Sequence, residues 1–110
     1  MITASRFRAL ALALTDASEA PHMERIAFRT PQRIFATLAA DGADANLKLA
    51  LEQQELLSRG RPQAFAALKG GWGKMGWTRV ALNAAHEDDV KDALAGAHAI
   101  AMIKQKSKRR

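Results

Sequence analysis

Arg25, Arg29, Arg33, Lys48 and Arg79, with Phe35 and Trp77, are the side chains whose types and spacing suit chemistry, and that chemistry is the holding of a polyanion. They lie in segments where apolar and polar residues alternate, and in a strand residues i and i+2 share a face. Alternation sends Ile26 and Phe28, Ile34 and Leu38, Leu47 and Leu49, and Val80 and Leu82 to a core. The opposite face then carries the five cations and the two rings. Cations that track phosphates and rings that stack on bases are how single-stranded nucleic acids are held. A solvated Arg/Lys-rich face, with Trp77 and Phe35 covering each other, would show the same pattern.

The segment Gly70-Gly71-Trp72-Gly73-Lys74-Met75-Gly76-Trp77-Thr78 gathers four of the seven glycines and both tryptophans. Glycine serves where φ is positive or another backbone comes close, and tryptophan where a large apolar area is anchored or a ring is offered. As a hairpin tip, or wing, the segment would lay Trp72 and Lys74 against a phosphate backbone. As a structural turn it would fold both rings back on the domain. Its spacing matches neither G-x-x-x-x-G-K-[ST] nor G-x-G-x-x-G, so no nucleotide loop is expected.

The formal net charge of +6 belongs mostly to one end. Lys104, Lys106, Lys108, Arg109 and Arg110 lie in the last seven residues, leaving 12 basic against 11 acidic residues elsewhere. Such a tail adds a salt-sensitive, sequence-blind attraction to nucleic acid, or serves as a solubilising end. Residues 25–82 hold nine basic and four acidic side chains, and residues 87–103 one basic and four acidic.

Other chemistries find little support. Without cysteine there is no disulfide, thiolate metal site or cysteine nucleophile. His22, His86 and His98 show no metal-binding spacing. His22 with Glu24 is the nearest approach to an acid–base pair, with no nucleophile beside it. We therefore expect no catalytic residues, no metal and no cofactor. Arg6 and Arg8 before the apolar residues 9–14 imitate a signal peptide, but the run is shorter than an h-region. A cytoplasmic protein without a membrane-spanning segment is expected.

The positioning elements follow from periodicity. Phe7, Leu10, Ala11 and Leu14 repeat at helical spacing over residues 5–14. Residues 15–24 read as a loop. Strands are predicted at residues 25–29 and 33–38, joined at Thr30-Pro31-Gln32, and at residues 46–49 after Asp41-Gly42. A short helix spans residues 51–58, and Phe65 and Leu68 anchor the segment opened by Pro62. A strand covers residues 77–82, and Glu87-Asp88-Asp89 start a last helix that reaches residue 103. The order is α-β-β-β-α-β-β-α, a two-layer α+β domain with an antiparallel sheet packed by helices on one face. It fills residues 1–103 as one domain, and residues 104–110 form a basic tail expected to be disordered.

Phe7-Arg8-Ala9-Leu10, Pro21-His22-Met23, Arg33 to Leu38, Asn46 to Leu49 and the paired Gly-Trp motifs resemble the MmcQ/YjbR family of small bacterial proteins, in register over about residues 5–100. The resemblance implies a DNA-binding protein with a double-winged arrangement of strands and a fold similar to that of secretion chaperones. It brings no catalytic residues, and the Lys/Arg tail falls outside the shared pattern. The expected function is non-enzymatic DNA binding, a single strand being one option, through Arg25, Arg29, Arg33, Lys48, Trp72, Lys74, Trp77 and Arg79. The alternative is a protein-interaction or chaperone-like adaptor with no nucleic-acid role. Sequence preference, target and oligomeric state stay open.

Overall fold

Burial of one face of an antiparallel sheet under helices organises the molecule, and the computed structural model describes residues 1–103. The chain runs α1 (Ala4–Leu12), β1 (Ser18–His22), β2 (Arg25–Arg29), β3 (Ile34–Ala39), β4 (Asp44–Lys48), α2 (Leu51–Gly60), β5 (Phe65–Ala67), α3 (Gly70–Lys74), β6 (Trp77–Ala81) and α4 (Glu87–Ala101). The six strands are all antiparallel in the order β1-β2-β3-β4-β6-β5. This is the α+β architecture that periodicity predicts, with an additional edge strand and an additional short helix. Among the described residues no helix is long and apolar enough to cross a membrane.

Helix α1 starts where the Thr3 hydroxyl accepts a hydrogen bond from the Arg6 N–H at 3.0 Å, satisfying an orphan donor of the first turn. It buries Phe7 and Ala11. Helix α4 carries Glu87, Asp88 and Asp89 in its first turn, favourable to its dipole. Its buried stripe of Val90, Ala93, Leu94, Ala97 and Ala101 has helical period. The small residues of that stripe let α4 approach β3 and β4 closely. Phe7 meets Phe28 edge to face, with ring centroids 5.9 Å apart.

Two expectations change here. Residues 15–24 are not a plain loop: residues 18–22 form edge strand β1, registered from Ser18↔Arg29 to His22↔Arg25. Pro21 hides the strand from a propensity reading, yet proline is tolerated on an edge because its missing N–H costs no ladder bond there. The second change is in β3, where Phe28 pairs with Ala36 and Arg29 with Ile34, leaving Phe35 as the extra residue of a β-bulge. The bulge puts both Phe35 and Ala36 in the core and turns Ile34 to the opposite face, the reverse of simple alternation. Phe35 is fully buried against the edge of the His98 imidazole at 5.5 Å. Strict period-2 reading fails at a bulge because one inserted residue flips everything before it.

Candidate nucleic-acid interface

The face of the sheet away from the helices is a groove of about 900 Å³. Its floor includes Ile34, Thr37, Ala39 and Asn46, and Trp72, Trp77 and Leu68 wall one end. The β1–β2 turn, with His22, Met23 and Glu24, walls the other end. Met23 at the tip of that turn holds φ at +60°.

Register decides which cations meet which rings. Strand β2 ends at Arg29 beside Ile34, and β4 ends at Lys48 opposite Trp77. Arg33 precedes Ile34, and α3 delivers Trp72 and Lys74 just before Trp77. Arg29, Lys48 and Trp77 therefore share one end of the face, which Trp72 also walls. Arg33 lies before the bulge, which reverses its alternation, and Lys74 is about 200° of helical turn from Trp72, so neither joins this end of the face as alternation had predicted. Among the described residues none of these four cations is ion-paired with a carboxylate. Arg29 spends its Nε–H on the Thr30 carbonyl at 3.1 Å.

The other two predicted cations are committed elsewhere. Arg25 donates from Nε to Thr37 Oγ1 at 2.8 Å and from Nη2 to Asp44 Oδ1 at 3.2 Å. Arg79 donates from Nε to the second oxygen of the same carboxylate at 3.2 Å. Asp44 thus bridges two guanidiniums from strands on either side of it and lowers the positive charge of that half. The face is polarised along its strands, with unpaired cations and tryptophans at one end and, at the other, two guanidiniums partly compensated by one carboxylate. Asp44 is the residue sequence reasoning missed. It shares the alternation of Asn46 and Lys48, and a strand started at residue 44 instead of 46 would have placed it on this face.

The glycine-tryptophan segment is neither an extended wing nor a simple turn: Gly70–Lys74 forms the short helix α3. Its tight geometry explains its composition. A Cβ on Gly73 would overlap the Leu68 carbonyl, and one on Gly76, whose φ is +107°, would overlap the Leu49 carbonyl. Leu49 N–H donates to the Gly76 carbonyl at 2.9 Å. Gln54, 9% exposed on α2, donates its Nε2 hydrogens toward Gly73 O at 3.0 Å and Thr78 Oγ1 at 3.1 Å. This buried amide ties α2, α3 and β6 together and so fixes where Trp72 stands.

The two tryptophans have different environments. Trp77 is half-buried, whereas Trp72 is 62% exposed. Among the described residues the ring–ring contacts are Phe7–Phe28 and Phe35–His98, so neither indole is covered by another aromatic ring. Phe35 in particular is on the far side of the sheet and does not cover Trp77.

His22 and Glu24 lie at the β1–β2 turn, and His98 donates from Nε2 to the Thr15 carbonyl at 2.7 Å, far from the groove. No group of three or more His, Asp or Glu placed to hold a metal occurs among the described residues. The tail cations Lys104, Lys106, Lys108, Arg109 and Arg110 lie outside the described residues. The chain reaches them from the end of α4, where Thr30 Oγ1 donates to the Ala101 carbonyl at 2.7 Å, three residues from Arg33.

Solved structures share this architecture. A Deinococcus radiodurans protein with a DUF419 domain superposes with a TM-score of 0.81 at 23% identity, covering 98% of this chain and 84% of that one. A Pseudomonas syringae protein superposes with a TM-score of 0.68 at 14% identity, over 88% of this chain and 97% of that one. At such identities the likeness is one of fold. No curated protein matches the chain. The YjbR family profile matches residues 12–100, which takes in every strand and the glycine-tryptophan segment, and the chain belongs to the YjbR family.

Proposed function

We propose that this protein binds DNA, without catalysing a reaction, through the helix-free face of its sheet. The observation that carries the reading is the register that sets Arg29 and Lys48 at the end of the face walled by Trp72 and Trp77, with no carboxylate ion-paired to either cation among the described residues. Cations left without partners on a rigid sheet lower the cost of bringing a polyanion close, because nothing has to be displaced first. Phosphate contacts of this kind position a nucleic acid without reading its sequence. The cytoplasm is the compartment that this reading and the cysteine-free composition suit.

Fluorescence anisotropy with short oligonucleotides over a salt series tests the reading. Binding is expected at about 50 mM salt, with log affinity falling linearly in log salt. Undetectable binding at that salt sinks it. A protein-interaction role is favoured by one observation, the exposure of Leu51, Leu56 and Met75 on and near α2. Single exposed apolar side chains are ordinary, so sedimentation is the check: a strict monomer with no oligonucleotide affinity counts against both readings.

A further inference from the structure

We infer that the tryptophan end of the groove is built for a single strand, with bases stacked on Trp72 and Trp77 and phosphates on Arg29 and Lys48. This deepens the proposed DNA-binding reading and rests on it. Three features point to a single strand over a duplex. The first is the state of the rings. An indole offers a stacking surface only to a base whose face is free, and in a duplex both faces of every internal base are taken. Trp72 stands 62% exposed above a groove it also lines, and no other ring in the described residues covers it.

The second feature is where the apolar surface lies. Ile34 and Leu68 join the two indoles at the same end of the groove. A duplex presents its sugar–phosphate backbone and the edges of its bases while their faces stay stacked, so it would cover little of such a floor. Unstacked bases bury against it. The cations flank this floor: Lys48 is directly across the β4–β6 ladder from Trp77, and Arg29 across the β2–β3 ladder from Ile34.

The third feature is the charge gradient along the strands. A duplex lying over the whole face would bring phosphates to the end where Asp44 is held between Arg25 and Arg79 and where Glu24 and Asp41 line the groove. A single strand can occupy the cationic half alone. Six residues of β3 set the length of the whole face at roughly 17 Å, so along the strands its cationic half has room for about one or two unstacked nucleotides.

Anisotropy of the full chain with a labelled oligo-dT of about 12 nucleotides, and with a blunt duplex of equal length, at about 50 mM salt tests this. The single strand is expected to bind at least about tenfold more tightly than the duplex. Trp72→Ala, whose ring is mostly outside the core, should weaken single-strand binding about 5- to 150-fold. Trp72→Phe should restore most of it, and duplex binding should be the same for all three proteins. Circular dichroism of Trp72→Ala shows that the fold is kept. A smaller preference for the single strand, or an affinity that Trp72→Ala leaves unchanged, overturns the inference while the binding face stands. If neither oligonucleotide binds, the DNA-binding reading itself falls.

Discussion

Lys48 and Asp44 stand four residues apart on β4, on the same face, with opposite consequences for an approaching polyanion. Lys48 has no ion-pair partner among the described residues, and Asp44 holds both Arg25 and Arg79. If phosphates track the cations, Lys48→Ala should flatten the plot of log affinity against log salt by about 0.7 for a single strand. Asp44→Asn should steepen it by a similar amount, because a released guanidinium can neutralise one more phosphate. Titrations at four or five salt concentrations measure both slopes. Identical slopes in wild type and Lys48→Ala would remove Lys48 from the interface.

Elements are joined here by a few contacts whose loss is predictable. Gln54 is the clearest: its amide serves Gly73 O and Thr78 Oγ1 inside the structure. Gln54→Leu keeps the volume but leaves buried acceptors without a donor, at about 1–3 kcal/mol, read from the shift in denaturant midpoint. Gly76→Ala should cost more, at least about 3 kcal/mol, since its φ of +107° and its contact with the Leu49 carbonyl both oppose a Cβ. Helix α1 is pinned by two ion pairs, Arg6 to Glu87 at 2.8 Å and Arg8 to Glu19 at 2.7 Å. Hydrogen bonds from those guanidiniums hold both carboxyls below the ordinary carboxylate range. A carboxyl with a lowered folded-state pKa contributes stability above its unfolded value, about 4.3, and loses it as pH falls through the folded value. The melting temperature should therefore decline in acid below about pH 4. Arg8→Met should make that decline shallower, by a small margin because both pairs face water.

At the scale of the molecule the question is how the sheet face and the tail divide the work. Residues 104–110 lie outside the described residues and follow α4, whose Ala101 carbonyl accepts a hydrogen bond from Thr30 Oγ1. Deleting them removes five positive charges. If all five meet phosphate, the salt slope for a single strand should fall by up to about 3.5. Binding at about 50 mM salt should survive the deletion, carried by the sheet face. Complete loss would assign the affinity to the tail and leave the face a solvated surface.

Alternation and helical period, both local properties, were enough to determine the α+β class, the one-sided packing of helices and the placement of Lys48, Trp77 and Arg79 on the helix-free face. The glycine-tryptophan motifs marked the family for the same reason: a backbone crowded against the Leu49 and Leu68 carbonyls admits only glycine, and that constraint is written into residue type. What the linear order could not carry was everything that depends on a partner far along the chain. The bulge that buries Phe35 is a property of the β2–β3 pairing, not of β3 alone. The pairing of Asp44 with Arg25 and Arg79 joins residues 19 and 35 positions apart. Only the tertiary structure could separate Arg29, Lys48, Trp72 and Trp77 at one end from the Asp44-held Arg25 and Arg79, because charge compensation depends on distance in space.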